Sequence, residues 1–233
     1  MISTRAKYNE LIIEIDYFFA VLSQLDAELT DYSREYAESI EGYKQDNFLK
    51  ILKANALLMI YNLVESTVSN GIEEIYDKLN ANNATYSTVR KEIQDIWFSF
   101  KFGQVYQPEA HFRSYKNKAL EIINSIVIGE TIELSGKALR FEGNLDADEI
   151  RKVCDVHGIE FRPDDTCRGG ERLKDVKTKR NDLAHGTLSF AECGRDYSLE
   201  DLEEIKKQTY AFLSGLLDGM HNYYDTDGFL SGR

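Results

Sequence analysis

Apolar residues recur every three or four positions over most of this chain, and that spacing predicts helices. Between residues 8 and 29, Leu11, Ile12, Ile15, Phe18, Phe19, Leu22, Leu25 and Leu29 form one wide apolar face. Residues 31–46 are more polar and either extend this helix or form a loop. The strongest signal lies in 47–79. There Ile51, Ala54, Leu57, Leu58, Tyr61, Val64, Val68, Ile72, Ile75, Tyr76 and Leu79 keep the period over many turns until Asn80-Ala81-Asn82-Asn83 ends it. A third helix is predicted over 86–102, with Val89, Ile93, Ile96, Trp97 and Phe100 inward, and a fourth over 111–126. From 127 to 145 the texture changes. Gly129, Gly136 and Gly143 punctuate two short alternating stretches, Thr131–Leu134 and Ala138–Phe141, which read as a small hairpin or an irregular insertion.

Local chemistry marks the later boundaries. Asp146-Ala147-Asp148-Glu149 has the form of a capping box and opens a short helix that Gly158 stops after His157. Phe161–Gly170, with Pro163 and Gly169-Gly170, reads as a loop. A helix from about Glu171 to Ala184 places Leu173, Val176, Arg180 and Leu183 on one inner face. A link then runs to about Tyr197, and Ser198-Leu199-Glu200-Asp201 caps a final helix built on Leu202, Ile205, Tyr210, Phe212, Leu213, Leu216 and Leu217. The expectation is one all-α helical bundle over 1–225 with a probable insertion at 127–170, followed by a flexible tail at 226–233.

Composition narrows the classes. The longest apolar runs, such as Ala56–Tyr61, are far too short to span a bilayer. The N-terminus leads into an amphipathic pattern with no signal-peptide core, so a cytoplasmic protein without a membrane partner is expected. Cys154, Cys167 and Cys193 are too few and too loosely spaced for a disulfide framework. Cys154-x-x-His157 with Cys167 lacks the second close pair of a structural zinc site, so no metal or other cofactor is expected. The net charge of −12 argues against a general nucleic-acid binder. It is uneven, however. From Arg168 to Arg180 six cations face two acids, a local +4 that reads either as a solvated helix face or as a phosphate-steering patch.

That basic run enters Arg180-Asn181-Asp182-Leu183-Ala184-His185-Gly186. A permanent cation and the side chain that titrates nearest neutrality stand five residues apart at a helix end. Arg180 can hold phosphate oxygens and stabilise a pentacoordinate state, and His185 can move a proton at a ribose 2′-OH or a leaving 5′-oxygen. Two copies across a two-fold axis would line a groove with both pairs. The plainer reading is a satisfied helix terminus, with Asn181 and Asp182 bonding the backbone. Glu65 lies at the margin of the apolar face of 47–79 and needs a cationic or hydrogen-bonding partner. It forms an internal salt bridge, or it orients Arg180 or His185. Lys177, Lys179 and Asp182 are, with Glu65, the candidate accessory or substrate-binding residues. His111, His157 and His221 read as surface or packing residues.

Arg180-Asn181-x-x-x-His185-Gly186 opening the link between two late helices resembles the HEPN superfamily (higher eukaryotes and prokaryotes nucleotide-binding). The helix containing Tyr61-Asn62-Leu63-Val64-Glu65-Ser66-Thr67 looks like the long early helix of its stand-alone bacterial branches. The resemblance implies a homodimeric, metal-independent endoribonuclease of a toxin–antitoxin or phage-defence type, with a composite site across the dimer. Arg180 and His185 would be catalytic and Asn181 the polar residue that orients them. RNA would be the substrate, and an antitoxin or other protein a possible partner. Some family members lack activity, so the alternative is a non-catalytic α-helical RNA- or protein-binding module, a scaffold or an antitoxin-like partner. The acidity of the chain leans that way, or toward a protein partner in either case.

Overall fold

The computed structural model describes residues 1–36, 45–103, 112–138 and 144–232. Its elements are helical: α1 (Ile2–Tyr36), α2 (Gln45–Ala81), α3 (Lys91–Gly103), α4 (Phe112–Ile128), α5 (Ala147–His157), α6 (Arg172–Ala184), α7 (Phe190–Arg195) and α8 (Leu199–Asp225). Short 3₁₀ turns lie at Gly136–Ala138 and Asp165–Gly170. Among the described residues no strand forms beyond two isolated bridges.

The core is organised by α2. Leu57, Ile60, Tyr61, Leu63, Val64, Val68, Ile72, Ile75, Tyr76 and Leu79 are all buried and occupy more than one face. A helix apolar around most of its circumference must be enclosed by others, and α1, α6, α7 and α8 pack around it. α1 is antiparallel to α2. The Met1 ammonium lies 2.7 Å from the Glu74 carboxylate, and Thr4 donates to Glu74 from both its amide and its hydroxyl. Burial opposes that charge, but these donors prevail and bring the Glu74 carboxyl down to about 2. α8 runs parallel to α2, with Met220 against Gly71 and Lys78 donating to the Tyr224 carbonyl. α8 adds Leu202, Ile205, Phe212, Leu213, Leu216, Leu217 and Met220 to the interior.

Several expectations are corrected. Thr131–Leu134 is not a hairpin strand. Its backbone is held at the far end of α2 by the Asn80 amide, which both donates to and accepts from Leu134, and by Ala84, whose carbonyl accepts from the Ile132 amide. The proposed partner stretch Ala138–Phe141 lies mostly outside the described residues, as does His111. The third helix starts at Lys91, since 84–90 form turns that bond Thr131 and Leu230. The link after Gly186 contains α7, with a capping box between Ser189 and Glu192. The tail does not fray within 226–232. Phe229 is fully buried, its carbonyl accepts from the Arg90 amide, and Ser231 donates to the Thr88 carbonyl. The tail's polar composition hid a single aromatic anchor.

The caps of α5 are local and match their residues. The Asp146 carboxylate accepts from the Glu149 amide, although Glu149 itself turns to Lys152 and so does not complete a box. Gly158 adopts φ +70°, a left-handed closure that favours glycine. His157 is buried, with Nε2 2.7 Å from the Tyr76 hydroxyl and Nδ1 2.6 Å from the Val153 carbonyl oxygen. Burial pushes its pKa down, so it packs as a neutral ring. His221 is a surface residue paired with Asp225.

Candidate active site

α6 reaches the site because Leu173 and Val176 are buried and continue into Arg180 and Leu183 on the same face, where burial becomes partial. The face lies against α2. An arginine in that position needs both an apolar bed for its plane and acceptors for its edge. α2 provides them from Tyr61 and Glu65, one helical turn apart. The Arg180 guanidinium carbon lies 4.5 Å from the centre of the Tyr61 ring, a cation–π contact. Nη2 is 3.5 Å from the Glu65 carboxylate, and Nη1 donates to the Asn181 Oδ1 at 2.9 Å. Arg180 and Glu65 side chains keep 26% and 35% of their surface, so the pair is half-buried and partly open to solvent. Burial raises the Tyr61 phenol, and the Leu145 amide and then Arg180 pull against it without reversing the shift. The ring is therefore neutral beneath the cation.

His185 terminates α6. Its amide donates to the Asn181 carbonyl at 2.9 Å, and Gly186 at φ +69° turns the chain so that Thr187 and Leu188 both donate to the Asp182 carbonyl. The imidazole is exposed. Five residues on a helix rotate a side chain by about 140°, which is why Arg180 faces the bundle and His185 faces out. The helix end is thus a satisfied backbone terminus, with Arg180 turned to α2 and His185 exposed to solvent. Asp182 takes part through its backbone carbonyl.

The two accessory lysines are turned to other partners. Lys177 pairs with Asp146, and Lys179 lies 3.2 Å from Asp196 with its ammonium over the Tyr197 ring. Arg168 and Arg172 likewise face Glu171 and Asp175. Most of the basic run is therefore neutralised by neighbours, which weakens its reading as a steering patch. Two residues that sequence reasoning did not single out for the site complete its support. Tyr61 carries the stacking face, and its hydroxyl accepts from the Leu145 amide at 3.2 Å. Asn144 accepts at Oδ1 from the Asn181 amide nitrogen at 2.6 Å. The apolar periodicity of α2 marked Tyr61 as core. Asn144 carried no signal, since its role depends on two segments meeting in space.

Cys154, Cys167 and Cys193 are buried thiols, and burial pushes Cys154 up to about 12. No group of three or more His, Cys, Asp or Glu side chains is placed to hold a metal ion among the described residues. No helix there is long and apolar enough to cross a membrane. A cleft of about 540 Å³ between α3 and α5 is floored by Tyr76 and His157 and includes neither Arg180 nor His185.

The model of the MAE_28990-like HEPN family matches residues 7–229, from the first turns of α1 to the buried Phe229. The chain belongs to the HEPN family. No curated protein and no solved structure matches it significantly. Membership accounts for the helical fold and suggests a nucleotide-binding or ribonuclease type of domain. In this HEPN chain the Arg180-to-His185 segment falls inside the matched region, as does the segment 129–146 between α4 and α5.

Proposed function

We propose that this protein is a metal-independent endoribonuclease of a toxin–antitoxin or phage-defence type. The observation that carries the reading is the Arg180 guanidinium, held over the Tyr61 ring and partly open to solvent, on the same helix end as the exposed His185. RNA brings its own nucleophile, the 2′-OH beside the scissile phosphate. The protein then has to supply charge stabilisation and proton transfer. Arg180 binds the non-bridging oxygens and stabilises the pentacoordinate state. His185 takes the 2′-OH proton or delivers one to the 5′-oxygen, leaving a 2′,3′-cyclic phosphate and a 5′-hydroxyl. Asn181 holds Nη1 of Arg180, and Glu65 sets the other edge. A second chain related by a two-fold axis would complete a composite groove, and the exposed position of His185 supports that arrangement.

The test is cleavage of single-stranded RNA by purified protein in EDTA. His185→Ala should lower the rate by about 10²–10⁴-fold and Arg180→Ala by about 10²–10³-fold. Arg180→Lys should rescue poorly, because an ammonium can neither stack flat nor reach two acceptors in a plane. Undiminished cleavage by His185→Ala would sink this mechanism, as would activity that vanishes in EDTA and returns with a divalent metal.

A second reading, a non-catalytic binding module, is favoured by one observation. Arg180 already faces Glu65, and most neighbouring cations are paired. Specific RNA or protein binding with no cleavage by the intact chain would establish that alternative.

A further inference from the structure

Three consecutive residues leading into α5 each hold a part of the motif's surroundings. Asn144 accepts from Asn181, the Leu145 amide donates to Tyr61, and the Asp146 carboxylate pairs with Lys177 on α6. The segment bridges α2 and α6 beside Arg180, a strap drawn from the chain between α4 and α5.

The polarity of the strap follows from donor and acceptor inventory. A guanidinium has five N–H donors and no acceptor. Asn181 must therefore present its oxygen to Arg180, as it does at 2.9 Å. Its amide nitrogen then points the other way, where Asn144 Oδ1 accepts from it at 2.6 Å. Without that acceptor only Arg180 opposes a turned-over Asn181 amide. Its NH₂ would then face the guanidinium, donor against donor.

We infer that Asn144 is a positioning residue: by accepting from the Asn181 amide it fixes which end of that side chain meets Arg180, and so holds the guanidinium in register for phosphate. It acts through Asn181 and touches no reacting atom. The inference rests on the ribonuclease reading for its consequence in catalysis, but not for its geometry.

Two measurements separate these. The first is the hindered rotation of the Arg180 guanidinium, read from its Nε and Nη NMR signals, which are assigned by their loss in Arg180→Lys. Asn144→Ala should speed that rotation about threefold to tenfold, the worth of one ordinary hydrogen bond. Asn144→Asp keeps an acceptor at the same reach and should restore the slow rotation. Because Asn144 is exposed, both variants should fold, which circular dichroism checks. The second is single-stranded RNA cleavage at saturating substrate. Asn144→Ala should lower kcat by about the same threefold to tenfold with KM changed less than about twofold, and Asn144→Asp should recover kcat. Unchanged rotation in Asn144→Ala, or equal loss in the Ala and Asp variants, overturns the inference. If the unsubstituted protein cuts no RNA, the ribonuclease reading fails, and the rotation measurement decides the role of Asn144 by itself.

Discussion

Replacing Tyr61 by Phe removes one oxygen and keeps the ring on which Arg180 lies. In the structure the hydroxyl is the acceptor for the Leu145 amide at 3.2 Å, and both residues are 1% exposed. Water cannot easily take its place, so the Leu145 N–H is left without a partner. A buried donor orphaned in this way costs about 1–3 kcal/mol. The cation–π contact survives, since it depends on the face of the ring. Tyr61→Leu removes that face too and should cost a further 0.5–2 kcal/mol, roughly the worth of a half-desolvated cation–π pair, before any packing loss is added. Urea unfolding at fixed protein concentration measures both, with an unchanged m-value required for the comparison. Tyr61→Phe within about 0.5 kcal/mol of the parent protein would refute the reasoning. It would mean that the strap does not depend on α2 through this bond.

Other expectations are as direct. A Cβ at Gly194 would stand 1.8 Å from the Lys50 carbonyl oxygen, backbone against backbone, so Gly194→Ala should cost about 1–3 kcal/mol in thermal unfolding; a parent-like midpoint would show that α7 can lift from α2. Phe229→Ala should cost about 3–5 kcal/mol by urea unfolding, and a loss below about 1 kcal/mol would mean the tail is not docked in solution. Burial works against the Asp146 charge, but Lys177 and the Glu149 amide hold its carboxyl below the ordinary value. Its stabilising contribution is therefore complete above the unfolded-state value of about 3.9 and is lost as pH falls through the folded value. Asp146→Asn should flatten that acid limb of the stability profile, and an acid limb identical to the parent's would contradict it.

The fold class was legible because α2 and α8 repeat their apolar residues over many turns and because caps are local chemistry: Asp146, Gly158 and Ser198 act within three residues of themselves. α7 escaped although Ser189 and Glu192 spelled out its cap, since six residues span less than two turns and show no period. Phe229 escaped because one buried aromatic in a polar tail is decided by what it docks against. At the site, an arginine on an apolar helix face announced its need for a partner, and Glu65 on the margin of another face announced the same need. Their meeting joins segments more than a hundred residues apart, yet charge alone suggested it. Tyr61 and Asn144 gave no such sign. Stacking and amide polarity depend on orientations that no spacing rule encodes.

The Asp146 carboxylate belongs to two helices at once. One oxygen closes the first turn of α5 through the Glu149 amide, and the other holds Lys177 in the middle of α6. Neither attachment is independent of the other, since releasing the carboxylate from α6 lets the side chain swing away from the cap. Amide hydrogen exchange should register this as a shared opening. The first turn of α5 and the central turns of α6 should lose protection together, at one free energy, below that of the α2 interior. A local breathing motion of that kind would carry the strap and the arginine edge with it, so that access to the site and the integrity of α5 would be set by one equilibrium.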